Sequence, residues 1–196
     1  MVLEDIYQAQ NASAVIRSAE CMGIQEIHII ENTNPYQLNP SVVQGASKWM
    51  DILRYKKAGA NNTEDCLQGL RRRGYRLLAM TLRENSTSLD EVDVAEPLAL
   101  CFGSEEPGLS EVAHAMADEF VQIPMLGFTQ SLNLSVSAGI SLYQLGSRLR
   151  QSPVDWQLLE EDQTCLYIDW LSRSTPTGRV LLEKFINELP GHSEDS

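Results

Sequence analysis

The sequence predicts an α/β fold built on a mostly parallel sheet. Two segments, 75–80 and 98–102, are apolar without alternation, which is typical of strands that are buried on both faces. Segments with helical periodicity separate the candidate strands, and this alternation favours a parallel sheet. The 196 residues, 43% of them hydrophobic, are enough for one α/β domain with a core and a modest extension.

In the first half of the chain, candidate strands alternate with candidate helices. Strands are expected at 2–6, 27–30 and 49–55, helices at 12–22 and from Asn62 or Thr63 to about Gly74, and a polar loop at 31–44. Asn11 is a suitable N-cap for the first helix, and Gly23 is a suitable residue to end it. Because the first strand begins almost at Met1, we expect a further segment upstream of it.

The second half has clearer boundaries. Strands are expected at 75–80, 98–102 and 120–123, helices at 110–118 and 131–151, a polar connection at 81–97 and a tight loop at 103–108. Ser131 is expected to open the long helix. Beyond Ser152 the apolar residues are spaced as in amphipathic helices. We therefore divide the chain into a main domain (1–151), a C-terminal helical extension (152–189) and a disordered tail (190–196).

The charge of the chain leaves RNA binding open. A formal net charge of −12 and a pI near 4.6 do not favour a nucleic-acid binder, but phosphate contacts need only local Lys and Arg. The positive residues are clustered at Arg54, Lys56 and Lys57, at Arg71, Arg72, Arg73 and Arg76, and at Arg148 and Arg150. For any one cluster, a solvated helix face or strand end is the better explanation.

Several classes of protein are excluded by residue patterns. The chain has no apolar run long enough to span a bilayer and no secretory signal. Four cysteines (Cys21, Cys66, Cys101 and Cys165) lie in apolar stretches without a CxxC pair, so we expect buried free thiols, a cytoplasmic protein and no metal site. The three histidines, His28, His114 and His192, are far apart and are interpreted as structural or incidental.

Two loops, 103–108 and 124–130, could serve a ligand, and the second leads directly into the helix start at 131–137. The segment Ser131–Ser137 is polar where a core helix should be apolar, and an N-cap role for Ser131 explains only one of its polar residues. The others need hydrogen-bond partners, which a ligand or a facing subunit could supply. The loop Gly103–Gly108 could let its backbone approach a ligand, although a plain strand-to-helix turn explains it equally well.

Three segments carry a family resemblance. They are Asn11-Ala-Ser-Ala-Val-Ile-Arg17, Phe102-Gly-Ser-Glu-Glu-Pro-Gly-Leu-Ser110 and Ile123-Pro-Met-Leu-Gly-Phe-Thr-Gln-Ser-Leu-Asn-Leu-Ser-Val-Ser137. In this order they resemble the motifs of the SpoU (TrmH) family of ribose 2′-O-methyltransferases, in the SPOUT superfamily. The resemblance runs from Val2 to about Arg150 and is closest to the branch that methylates a guanosine in the tRNA D-loop.

The resemblance implies a SPOUT fold, with helices on both faces of the sheet and a C-terminal deep trefoil knot. It implies a homodimer with active sites at the interface, S-adenosylmethionine as cofactor, no metal, and tRNA as substrate with rRNA as the alternative. The residues implied to hold the cofactor are Thr81, Gly103, Ile123 and Leu132. The implied catalytic residues are Asn11, Arg17, Glu105, Ser131 and Asn133.

The chemistry suits these residue types. Methyl transfer to a hydroxyl needs an in-line approach and loss of the hydroxyl proton. A guanidinium stays protonated, so we interpret Arg17 as a phosphate clamp that stabilises the developing alkoxide rather than as the base. Ser131 and Asn133 are expected to bind the substrate or position Arg17. Glu105 is expected to orient the cofactor loop, and Asn11 to order the first loop.

Some positions depart from the family pattern. Gln8, Gln10 and Glu106 stand where relatives tend to carry Lys or His, which removes positive charge near the expected RNA path. An RNA-binding protein that keeps the fold without turnover is the alternative from another class, and the intact catalytic set argues against it. A third interpretation is an α/β protein that binds another nucleotide or metabolite.

Overall fold

Seven strands form one parallel sheet in the computed structural model, which describes residues 1–43 and 45–188. They are β1 (Val2–Glu4), β2 (Glu26–Ile30), β3 (Asp51–Tyr55), β4 (Arg76–Met80), β5 (Thr87–Ser88), β6 (Leu98–Phe102) and β7 (Glu119–Gln122). Their spatial order is β3-β2-β1-β6-β4-β7-β5, and every neighbouring pair is parallel. The predicted α/β class is therefore confirmed, and the carboxyl ends of all strands meet at one edge.

Helices cover both faces of this sheet, as expected. The first of two compact units, Met1–Val154, contains α1 (Ala9–Cys21), α2 (Pro40–Val43), α3 (Asn62–Arg72), α4 (Glu111–Met116) and α5 (Leu134–Gln151). Successive strand residues face opposite sides. Leu78 therefore packs in the core beneath α1 and α5, and its neighbour Leu77 packs in the core beneath α3 and α4.

A second compact unit begins at Asp155. It contains α6 (Glu160–Ser174) and α7 (Gly178–Glu188), which pack on each other. A Cβ on Gly178 would overlap the backbone of Ser172, so the turn between the two helices requires glycine there. No helix among the described residues is both long and apolar enough to cross a bilayer. The predicted tail at 190–196, with His192, lies outside the described residues.

The predicted starts of two helices are wrong. α1 begins two residues before Asn11, because Ala9 and Gln10 are themselves good helix formers, so Asn11 is not its N-cap. The N-cap of α5 is Asn133 rather than Ser131, and its Oδ1 accepts a backbone N–H of the first turn at 2.8 Å. Both differences leave polar side chains available for contacts outside their own helix.

A buried carboxylate joins β1 to the starts of two helices. Glu4 is 2% exposed, and it accepts hydrogen bonds from Thr63 Oγ1 at 2.5 Å, Ser110 N at 2.8 Å and Ser110 Oγ at 2.7 Å. Ser110 Oγ also accepts the N–H of Ala113 and so caps α4. Because a buried charge is costly without partners, these donors hold the residues before α4 firmly against the sheet.

All four cysteines are free thiols, but only two are buried. Cys66 and Cys101 lie in the core, whereas Cys21 and Cys165 are exposed, so the expectation of burial is wrong for the latter pair. Both exposed cysteines lie on helices, where apolar sequence neighbours do not fix which face a residue occupies. Burial raises the pKa of the Cys66 thiol to about 12 and also raises the pKa of Cys101.

We expect iodoacetamide to modify Cys165 in the folded protein while Cys66 and Cys101 stay unmodified. The thiolate is the reactive species, and burial removes both the thiolate and access to it. Mass spectrometry of tryptic peptides measures the extent of modification, and protein unfolded in urea, where every thiol reacts, is the control. Modification of Cys66 in folded protein as fast as Cys165 would contradict the placement.

Candidate active site

A cavity of about 510 Å³ opens at the carboxyl ends of β4, β6 and β7. Parallel α/β sheets bind their ligands at this edge, and the volume lies in the range of small-molecule sites. The walls come from the residues that follow each of these strands and from the segment before α5. Of the predicted site residues, the cavity is lined by Thr81, Gly103, Glu105, Ile123, Ser131 and Leu132.

The loop after β6 folds back on itself and forms one wall. Ser104 and Gly108 exchange two backbone hydrogen bonds of 3.1 Å each. A Cβ on Gly103 would overlap the backbone of Gly108 and Leu109, and Gly108 has a φ of 72°, which favours glycine. The glycines at both ends of this loop are therefore needed for a closed turn, whose tip carries Glu105.

Three predicted catalytic residues are hydrogen-bonded to one another at the cavity edge. Asn11 Nδ2 donates to Glu105 Oε1 at 2.8 Å, and Asn133 Nδ2 donates to Asn11 Oδ1 at 3.1 Å. The backbone N–H of Tyr7 donates to Glu105 Oε2 at 3.4 Å. Asn11 is only 6% exposed, so these contacts satisfy a buried amide. They join the start of α1, the loop after β6 and the start of α5.

The cavity combines acidic and apolar walls. Glu105, Glu106 and Glu111 supply carboxylates, and Glu111 also pairs with Arg83. Apolar side chains of the lining include Leu109, Ile123, Met125, Leu132 and Leu134. This lining suits a ligand that has both an apolar ring and positive charge. Among the described residues, no group of three or more His, Cys, Asp or Glu side chains is placed to hold a metal ion.

His114 also lines the cavity, although its sequence position gave no signal of it. The side chain is 7% exposed, with Nδ1 at 2.9 Å from the carbonyl oxygen of Ser110 and Nε2 at 3.2 Å from Thr81 Oγ1. A lone histidine on a short helix is more often structural, and its sequence neighbours do not reveal which side of α4 faces the strand ends. Its contact with Thr81 depends on tertiary packing alone.

Arg17 lies away from this cavity. It is exposed on α1, six residues beyond Asn11, beside a shallow apolar depression that includes Ile140 and Tyr143 of α5. None of the ion pairs within the described residues involves Arg17. The single chain therefore brings Asn11, Glu105 and Asn133 together, with Ser131 in the same cavity, and does not add Arg17 to them.

Residues 1–143 match the model of the SpoU rRNA Methylase family. The chain belongs to this family. This SpoU methylase is 39% identical over 186 residues to the tRNA (guanosine(18)-2′-O)-methyltransferase of Borreliella burgdorferi, which is 95% of the chain and 83% of the relative. The expected family is therefore confirmed.

Two solved structures share the fold of this SpoU methylase. The TrmH/SpoU tRNA modifying enzyme of A. aeolicus aligns with a TM-score of 0.72 at 28% identity, covering 86% of this chain and 85% of that one. The AdoMet-bound rRNA methyltransferase of Sinorhizobium meliloti aligns with a TM-score of 0.65 at 25% identity, covering 76% and 55%. The architecture is confirmed, and the trefoil knot stays a prediction.

The contact between Asn11 and Glu105 can be tested by exchanging donor and acceptor. Asn11→Asp places two carboxylates against each other with no amide proton between them, so we expect the free energy of unfolding to fall by about 1 kcal/mol. Adding Glu105→Gln restores one donor and one acceptor and should recover most of the loss. Urea denaturation followed by circular dichroism measures both changes. A double variant whose loss equals the sum of the two single losses would exclude the contact.

Proposed function

We propose that this chain transfers the methyl group of S-adenosylmethionine to the 2′-hydroxyl of a D-loop guanosine in tRNA, in the cytoplasm. The hydrogen-bonded set of Glu105, Asn11 and Asn133 carries the proposal, since it joins all three family motifs at the edge of one cavity. The name of the B. burgdorferi relative supports tRNA and the 2′-hydroxyl of guanosine as the target. A protein without turnover would have no need of this set.

The cavity fits S-adenosylmethionine in size and in chemistry. Ile123 and Leu132 offer apolar surface to an adenine ring, and Thr81 offers a hydroxyl to the adenosine. The carboxylates of Glu105 and Glu106 suit the positive charge of the sulfonium and amino groups. When bound, the cofactor supplies an electrophilic methyl group on a cationic sulfur. The AdoMet-bound S. meliloti relative supports this assignment.

The remaining residues position the ribose. Both ends of the Asn133 amide have partners within the chain, because its nitrogen donates to Asn11 while its oxygen caps α5. We therefore assign Asn133 and Asn11 to positioning, and the exposed hydroxyl of Ser131 to the nucleotide. Arg17 clamps the adjacent phosphate and stabilises the developing alkoxide, and the hydroxyl proton leaves to phosphate or water.

In the decisive experiment, the purified protein is incubated with labelled S-adenosylmethionine and, in separate reactions, with unmodified tRNA or unmodified rRNA. Nuclease digestion and mass spectrometry then identify the methylated nucleotide. A single 2′-O-methylguanosine in the tRNA D-loop is expected. Label in rRNA alone would move the substrate to the class named in the family description and in the S. meliloti relative. No label in either pool would overturn the proposal.

Arg17→Lys tests whether the forked guanidinium is required. Lysine keeps the charge but cannot bind a phosphate through two parallel hydrogen bonds, so we expect kcat to fall about 100-fold. Methyl transfer to tRNA measures the effect. Arg72→Lys is the matched control, because Arg72 is exposed on α3 and lies outside the cavity. Near wild-type activity of Arg17→Lys would show that a point charge suffices.

We further propose that the chain acts as a homodimer through the face formed by α1 and α5. This face exposes large apolar side chains next to Arg17, namely Met22, Ile140 and Tyr143. Exposed apolar groups clustered in this way are typical of protein interfaces. A second copy on this face can bring Arg17 of one protomer to the cavity of its partner. That contact would complete the catalytic set, which a single chain leaves divided.

Tyr143→Asp should convert the dimer to monomers. Tyr143 is 61% exposed in the single chain, so an aspartate costs little there, whereas burial of its charge at an interface is costly. Sedimentation equilibrium measures the mass, and we expect methyl transfer to be lost with the dimer. Leu53→Asp on the edge strand β3 is the control, since Leu53 is also partly exposed and, as the neighbour of Ile52, which packs on the α1 side, it faces the opposite side of the sheet. A monomeric wild type would refute the dimer.

A further inference from the structure

The ring of His114 is held in one orientation at the base of the cavity. Its Nδ1 lies 2.9 Å from the carbonyl oxygen of Ser110, and its Nε2 lies 3.2 Å from Thr81 Oγ1. Phe120 packs edge-on against the imidazole, with ring centroids 5.5 Å apart and an interplanar angle of 86°. Neither His114 nor its bond to Thr81 has a part in the methyl transfer proposed for this site.

The partners of His114 determine which ring nitrogen carries the proton. A carbonyl oxygen can only accept hydrogen bonds, so the nitrogen that faces Ser110 must be protonated. A neutral imidazole has one N–H, and Nε2 is then left with a lone pair. In this neutral form the hydroxyl of Thr81 donates its single proton to His114 Nε2.

The Ser110 carbonyl, which determines the tautomer of His114, is itself held in place. The N–H and Oγ of Ser110 are both bound by the buried carboxylate of Glu4, at 2.8 and 2.7 Å. The same carbonyl accepts the backbone N–H of His114 at 3.0 Å in the first turn of α4. On the other side, the N–H of Thr81 donates to the carbonyl of Val121 at 2.9 Å, which anchors the strand end. Neither end of the chain of hydrogen bonds is free to turn.

We propose that His114 is a positioning residue that makes Thr81 an obligate hydrogen-bond acceptor towards the cofactor. The inference rests on the proposed function, because Thr81 lines the cavity assigned to S-adenosylmethionine. With its proton committed to His114, the Thr81 oxygen presents only lone pairs to the cavity. The Thr81 oxygen therefore selects a hydrogen-bond donor of the adenosine moiety, which is either the exocyclic amine or a ribose hydroxyl. It does not bind the ring nitrogens that only accept hydrogen bonds.

The tautomer can be measured without any ligand. In protein labelled with ¹⁵N-histidine, at about pH 8 where an ordinary imidazole is neutral, we expect His114 in the Nδ1–H form. The His114→Phe variant, which keeps an aromatic ring against Phe120, identifies the resonance by its loss. Thr81→Val should shift the Nε2 resonance, because it removes the proton donated to it. An Nε2–H tautomer, or an Nε2 signal unchanged by Thr81→Val, would overturn the proposal.

Cofactor binding tests the consequence. Isothermal titration with S-adenosylhomocysteine should show affinity about tenfold weaker for Thr81→Val and for His114→Phe, and near wild type for Thr81→Ser. The double variant should bind no more weakly than either single variant, since both remove the same oriented contact. If the losses of affinity multiply in the double variant, the two residues act independently and the proposal is wrong. Wild-type protein that does not bind this product would instead refute the proposed function, whatever the tautomer.

Analogues of S-adenosylhomocysteine identify which hydrogen-bond donor Thr81 binds. S-inosylhomocysteine replaces the exocyclic amine by a carbonyl, and the 2′-deoxy and 3′-deoxy analogues each remove one ribose hydroxyl. The analogue that lacks the selected donor should bind wild-type protein about tenfold more weakly and should be insensitive to Thr81→Val. If every analogue binds wild-type protein as tightly as the parent compound, Thr81 selects no donor and the proposal fails.

Discussion

The buried carboxylate of Glu4 is the constraint on which the functional edge of the sheet depends. β1 is an interior strand of the sheet, between β2 and β6, so its last residue can reach structures on both sides. The Glu4 charge is stable only because Thr63 and Ser110 donate to it. The next residue, Asp5, has a φ of 51° and accepts three successive backbone N–H groups of the loop after β2. Two adjacent acids thus hold the starts of α3 and α4 and the loop after β2.

The contacts of Glu4 also determine the geometry of the cavity, through Ser110 and the loop that precedes it. Fixing Ser110 fixes the end of the glycine-bounded loop, and the loop tip then presents Glu105 to Asn11. Asn11 is available for this contact because α1 begins before it, and Asn133 reaches it because α5 begins after it. The errors in the predicted helix starts and the assembly of the site therefore have one cause. Asn11, expected to cap α1, instead binds Glu105 across the sheet edge, and Asn133 caps α5 while its amide nitrogen binds Asn11.

Sequence patterns predicted the strands in the interior of the sheet better than the strand at its edge. β6 was placed correctly at its ends, since a strand buried on both faces is apolar throughout. β5 was missed because Thr87 and Ser88 are polar, and their pairing with β7 is a tertiary contact that no local pattern encodes. The family motifs supplied the site residues, but their sequence order could not reveal that Arg17 stands apart from Asn11. Residues separated by six positions on one helix face different directions.

The acidic composition limits where a polyanion can dock. Most arginines of the clusters found in the sequence are committed to carboxylates: Arg54 to Glu31, Arg71 to Asp118, Arg73 to Glu26 and Arg76 to Glu119. These pairs are structural and add no net attraction for phosphate. Within the described residues, Arg17 and Lys48 form no such ion pair, and the turn that carries Lys48 packs against α1. In a chain with a net charge of −12, the unpaired cations Arg17 and Lys48 beside α1 supply local attraction for RNA phosphates.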